Sequence, residues 1–207
     1  MRGAGRTVNA RFDERTNRLE PHRSYVMRGC ASEGDLRMKQ EQKIVAIGAA
    51  SGVIGMIVMV WLLSGLIPAP AIADTAVDRI AYALPWAAPP ALLYFFMVAA
   101  VGNARFKSEA IDPTAGKESQ RMIVDGRVAD NTHQQLMLFL IGLLGLAVTL
   151  PAERLSVIAA VAITFVVARC IFWFGYRKHP LYRAPGFSST AYLNLGMLLA
   201  TLWLWLR

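Results

Sequence analysis

Five long apolar runs, separated by islands that hold nearly all of the charge, constrain this chain more than any other feature. They cover residues 44–67, about 80–101, 136–150, 155–174 and about 191–206. A helix of about 20 apolar residues crosses the hydrocarbon core of a bilayer. Lipid offers no hydrogen-bond partners, so each run must close its backbone bonds internally, which predicts helices and excludes an open sheet. Composition agrees: 55% of the 207 residues are hydrophobic and 17% charged, against about a quarter charged in soluble domains. The predicted fold class is therefore all-α, an integral membrane helical bundle.

The first run carries no charge and contains Gly48, Gly52 and Gly55, small residues that allow close helix packing. Pro68 and Pro70 end it. Ala71-Ile72-Ala73 has the small-x-small form of a signal-peptidase site. A run of this length exceeds the 7–15 residues usual in a signal peptide. It therefore reads as a retained span, with cleavage after Ala73 as the alternative. The second run carries Pro85, Pro89 and Pro90, which remove helical hydrogen bonds that neighbouring helices can replace. Pro151 closes the third. Tyr192, Trp203 and Trp205 near the ends of the fifth suit interfacial anchoring. Residues 1–43 are polar, Arg-rich and without hydrophobic periodicity, so disorder is expected there.

The net charge of +8 reads as a topology signal, since no long polar segment can build a folded basic face for nucleic acid. The N-terminal segment, the 103–130 connection (Arg105, Lys107, Lys117, Arg121, Arg127) and the 177–183 turn (Arg177, Lys178, Arg183) are basic. The alternate loops hold Asp74, Asp78 and Glu153 against Arg79 and Arg154. Every second loop is positive, which predicts five spans with the N-terminus in the cytoplasm of a bacterial inner membrane. Cys30 and Cys170 give no disulfide framework, and His22, His133 and His179 have no metal-ligand spacing. No metal is predicted.

Polar groups at the edges of membrane helices carry the candidate chemistry. In the cluster opening the third run, Arg127, Asn131 and Gln134 fall at i, i+4 and i+7 on one helical face. In the cluster closing the fourth, Arg169, Phe172, Trp173 and Tyr176 share a face, and Arg183 follows. Both clusters lie at the same predicted membrane surface. Guanidinium groups with amide and phenol donors suit an anionic ligand with carboxylates, and positive charge favours a thiolate. Arg177 and Lys178 are expected to reach toward lipid headgroups. Arg169, set deeper among apolar residues, requires a partner: Asn131, Asp130, Gln134 or a bound anion.

The order Arg127-x-x-x-Asn131-x-x-Gln134, Ala168-Arg169-x-x-Phe172-x-x-Gly175-Tyr176 and Arg183-Ala184-Pro185-Gly186-Phe187 resembles the MAPEG family. These are membrane-associated proteins of eicosanoid and glutathione metabolism, including microsomal glutathione transferases. The resemblance covers about residues 80–207. It implies a four-helix MAPEG-like core, a homotrimer, and glutathione as co-substrate bound between subunits near the cytoplasmic face. Carried over to this chain, it implies Arg183 as the catalytic residue that stabilises the thiolate. It likewise implies Arg127, Asn131, Gln134, Arg169 and Tyr176 as glutathione-binding. Gln134 stands where catalytic members usually have glutamate, while Gln135 and Phe172 stand where leukotriene synthases have tyrosines. The span 44–67 has no counterpart in four-helix members.

The expected organisation is a basic extension over 1–43, an additional span over 44–67 and a four-helix domain over 80–207. The resemblance implies a glutathione-dependent transferase or peroxidase acting on apolar electrophiles drawn from membrane lipid. The alternative is a non-catalytic trimeric protein of the same fold that binds a lipid or other anion.

Overall fold

The structure is a computed structural model describing residues 11–13, 18–20, 26–71, 74–112 and 114–207, with side chains from residue 36 onward. By its contacts the chain divides into two units, 1–42 and 43–207. In the first, strands β1 (Arg11–Asp13) and β2 (Arg18–Glu20) pair antiparallel, with Arg11 opposite Glu20. Helix α1 (Val26–Leu66) also begins there. The disorder expected over 1–43 falls partly on residues outside those described. The stretch 36–43 consists of strong helix formers (Leu, Arg, Met, Lys, Gln, Glu), so it joins α1 without any apolar stripe. Ile72 and Ala73, and with them the small-x-small tripeptide, lie outside the described residues.

The second unit holds the rest of α1 and four more helices: α2 (Ala76–Phe106), α3 (Gln120–Thr149), α4 (Ser156–Lys178) and α5 (Ala184–Trp205). All 5 helices contain a stretch long and apolar enough to cross a membrane. This is an integral membrane protein of helical-bundle fold.

Helices α2 to α5 form the packed core. Phe139 of α3 meets Phe165 of α4 with ring centroids 4.5 Å apart. Leu143, Leu155, Ile158, Leu193 and Met197 close around them. Lipid is as apolar as leucine, so close packing and not water exclusion must hold such helices together. The buried face of α4 accordingly carries Ala159, Ala160, Ala162 and Ala168, and Gly142 of α3 lets Met197 approach.

The helix ends explain the boundaries. Thr75 and Asp78 form a capping box at the start of α2, the Thr75 hydroxyl accepting from the Asp78 N–H while the Asp78 carboxylate accepts from the Thr75 N–H. Arg79 Nη1 donates to the Leu150 carbonyl at 3.0 Å, capping the far end of α3. The connection expected over 103–130 is shorter, because α3 begins at Gln120, where Ser119 caps it. At 30 residues and 1.5 Å per residue, α3 is about 45 Å long, against ~30 Å of hydrocarbon. Its polar first half therefore need not lie in lipid. α5 likewise starts at Ala184, with Pro185 in its first turn where a missing N–H costs nothing.

Candidate functional site

The C-terminal end of α4, the short 3-10 turn Pro180–Arg183, the start of α5 and the polar half of α3 meet at the basic end of the bundle. They enclose a cavity of about 610 Å³. Arg127 and Asn131 of α3, Tyr176 of α4 and Arg183 from the turn all line it. Arg183 Nη1 donates to the Tyr176 hydroxyl at 3.2 Å. The Arg183 guanidinium carbon lies 4.9 Å from the centre of that ring, so phenol and guanidinium orient each other. Apolar side chains complete much of the lining, Phe172, Leu181, Phe187 and Ala191 among them, together with Ser188 and Tyr192. The cavity thus combines guanidinium, amide, phenol and hydroxyl groups with hydrocarbon.

One glycine makes this geometry possible. A Cβ on Gly186 would strike the Phe172 backbone nitrogen and the Ala168 carbonyl, so α5 leaves the turn in direct contact with α4. Gly186→Val should lower stability by about 3 kcal/mol through overpacking against rigid backbone. The unfolding midpoint in mixed micelles measures it.

Arg169 is 0% exposed and is the largest of the fully buried side chains. Its Nη1 donates to Asn131 Oδ1 at 2.9 Å and to Thr132 Oγ1 at 3.3 Å, and its Nη2 donates to Thr190 Oγ1. The guanidinium carbon sits 4.4 Å from the centre of the Phe172 ring. Among the described residues, its Nε has no partner. Of the partners expected for Arg169, Asn131 is the one found; Asp130 and Gln134 are exposed. Arg169 stands behind Asn131 and fixes its amide, so that Asn131 presents its nitrogen side to other acceptors.

The six sequence-predicted site residues thus fall into three groups. Arg127, Asn131, Tyr176 and Arg183 share the cavity, Arg169 supports it through Asn131, and Gln134 is exposed and outside its lining. Gln135 is also turned away: the Asn194 amide donates to its side-chain oxygen at 2.8 Å and its carbonyl at 2.9 Å. Thr132 and Thr190 were not anticipated, since hydroxyls on apolar helices carry no spacing signal. Arg177 corrects another expectation. Instead of reaching to headgroups it pairs with Asp125 through two contacts of 2.7 Å, and the Trp173 indole donates to the same carboxylate at 2.8 Å. Asp125 is buried, so this clamp ties α3 to α4 beside the site. His133 is exposed, with its ring stacked on Tyr94 at 5.6 Å. Among the described residues, no group of three His, Cys, Asp or Glu side chains comes together that could hold a metal.

Apolar spans around a cavity of mixed lining define a helical membrane protein equipped to hold a ligand with both polar and apolar parts. The chain belongs to the MAPEG family, whose model matches residues 83–203. That span runs from within α2 to the end of α5 and contains every site residue above. The family groups membrane-associated proteins of eicosanoid and glutathione metabolism, which are generally oligomeric. No curated protein and no solved structure matches the chain.

Proposed function

We propose that this protein is a glutathione-dependent transferase or peroxidase that acts on hydrophobic electrophiles. The observation that carries the reading is the cavity itself, where Arg127, Asn131, Tyr176 and Arg183 converge beside apolar side chains. Glutathione is a small peptide with two carboxylates and one thiol. Two guanidiniums offer charge-assisted bonds to the carboxylates or the thiolate, while the amide and phenol add directed donors. Its volume lies within the range of ordinary ligand pockets.

In this reading Arg127 and Asn131 hold the peptide, and Arg183, oriented by Tyr176, stabilises the thiolate. The thiolate sulfur attacks the electrophilic carbon, a carbon–sulfur bond forms, and the leaving group departs with its electron pair. The electrophile reaches the apolar lining from the bilayer. The protein works as a homotrimer in a bacterial inner membrane with its N-terminus in the cytoplasm. Residues 80–207 form the catalytic unit, preceded by the span 44–67 and the basic extension 1–43.

The test is calorimetric titration of detergent-purified protein with glutathione, beside Arg127→Ala. Removing a charge-assisted contact of about 1.5–3 kcal/mol weakens binding roughly 10- to 100-fold. Absence of saturable binding to the folded wild-type protein would contradict the proposal. One observation favours a second reading, a non-catalytic trimer binding a lipid or other anion: Gln134 and Gln135 both lie away from the cavity. Binding of an anionic lipid without any conjugation would select that reading.

A further inference from the structure

The additional helix α1 also reaches the cavity, which Val45 and Ala49 line. Val45, Gly48, Ala49 and Gly52 fall at i, i+3, i+4 and i+7, so one stripe of α1 faces the start of α5. Contact is closest at Gly52, the one residue of 43–66 that is buried. A Cβ there would collide with the Pro185 carbonyl and lie 2.6 Å from Ser188 Oγ, and one on Gly48 would lie 3.3 Å from Ala184 Cβ. Two hydroxyls of α5 lie at the crossing. Ser188 Oγ lies 3.0 Å from the Ala49 carbonyl and 3.1 Å from the Pro185 carbonyl, and Ser189 Oγ lies 2.8 Å from both the Gly52 and the Pro185 carbonyls, so each hydroxyl proton is shared between α1 and α5. Helical carbonyls rarely accept a second bond from another helix unless the backbones approach this closely. α1 therefore meets the start of α5 backbone to backbone, and Ala49 lies at the edge of the cavity.

We propose, building on the glutathione reading, that α1 sets how large an apolar group the site accepts, with Val45 and Ala49 as its specificity-determining residues. Three facts point the same way. The charged and polar groups of the cavity come from α3, α4, the Pro180–Arg183 turn and, through Ser188 and Tyr192, α5, whereas α1 contributes the hydrocarbon side chains Val45 and Ala49. Together with Phe187 and Ala191 of α5, these side chains make up apolar lining suited to an alkyl or aryl group. The α1 backbone packs closely on α5 at Gly48 and Gly52, on either side of Ala49, so a change of side-chain volume at position 49 falls on the cavity. A small Ala49 leaves space that a larger residue would fill.

The experiment uses S-alkylglutathiones, from methyl to decyl, titrated by calorimetry into full-length protein in lipid nanodiscs. In the wild type, each methylene that reaches the wall raises affinity about fourfold. Ala49→Phe ends that rise several carbons earlier, so the ratio of decyl to methyl affinity falls at least tenfold. Val45→Ala changes volume in the other direction and extends the rise. Ile54→Phe, at an exposed position of the same helix, leaves the ratio as it was. An unchanged ratio in both wall variants overturns the proposal, and retention of the thermal transition shows that each variant is folded. If S-methylglutathione fails to bind the wild type, the glutathione reading falls by itself. The same comparison is then made with straight-chain carboxylates from hexanoate to dodecanoate. A chain-length limit that moves with Ala49→Phe upholds the role of α1, and one that stays overturns it.

Discussion

Arg183→Ala is expected to lower the rate of glutathione conjugation by about 10²- to 10³-fold, the loss usual for removing one preorganised group that stabilises developing or resident negative charge. The guanidinium lines the cavity, and Tyr176 holds its direction through the 3.2 Å hydrogen bond. An opposite charge near a thiol favours the ionised form, so the bound thiol titrates below its ordinary value. Removing Arg183 raises it again, by roughly one unit at this partly exposed position. The pH–rate profile should therefore shift upward by about one pH unit, and part of the lost rate should return at alkaline pH. Arg183 is exposed and its side chain bonds to Tyr176, so the fold should lose less than about 1 kcal/mol. A variant that loses activity and unfolds together would point to a structural part for this residue.

Arg169→Ala is expected to act on the fold before it acts on the chemistry. The side chain is fully buried, stacks on Phe172 and satisfies Asn131, Thr132 and Thr190 at once. Truncation leaves three polar groups without a donor and opens a void the length of the arginine stem. The partners are neutral, so the cost is that of leaving buried polar groups unsatisfied, about 1–3 kcal/mol each and partly relieved by repacking, plus the void; a total of about 3–5 kcal/mol is expected. Stability should fall by that amount in mixed-micelle unfolding, with the bundle expanding at its basic end. Thr190→Val removes one partner and should cost about 1–2 kcal/mol. Glutathione affinity should fall in Arg169→Ala, because Asn131 loses the contact that fixes its amide, and less in Thr190→Val, where that contact remains. Full stability in Arg169→Ala would mean that the charge is held by something other than this network.

The bundle was legible because lipid imposes a simple rule: an apolar run of sufficient length must be a helix. Its limits were less so. Hydropathy detects the part of α3 that faces lipid, from Leu136 onward, and is blind to residues 120–135, which are helical because Ser119 caps them and their apolar side packs on α4. For the same reason α5 reads as starting at 191 and starts at Ala184. Helical spacing placed Arg127 beside Asn131 and Phe172 beside Tyr176, since i+4 is geometry that any helix enforces. It also placed Gln134 on that face, but a face extends beyond the cavity, and Gln134 falls past its edge. The Asp125–Arg177 clamp was hidden because the two residues are 52 positions apart and each alone resembles an interfacial charge. The contact of α1 with α5 had its glycines in view, while Ser188 and Ser189 lay between the 177–183 turn and the fifth apolar run, where hydropathy carries no signal.

The most direct measurement is proton release when glutathione binds at neutral pH, read from calorimetric titrations in two buffers of different ionisation enthalpy. The account predicts saturable binding with roughly a fifth of a proton released per occupied site, as a one-unit lowering of an ordinary thiol gives at neutral pH, and less in Arg183→Ala. Saturable binding with no proton released would contradict it, leaving a protein that holds the peptide without making the nucleophile.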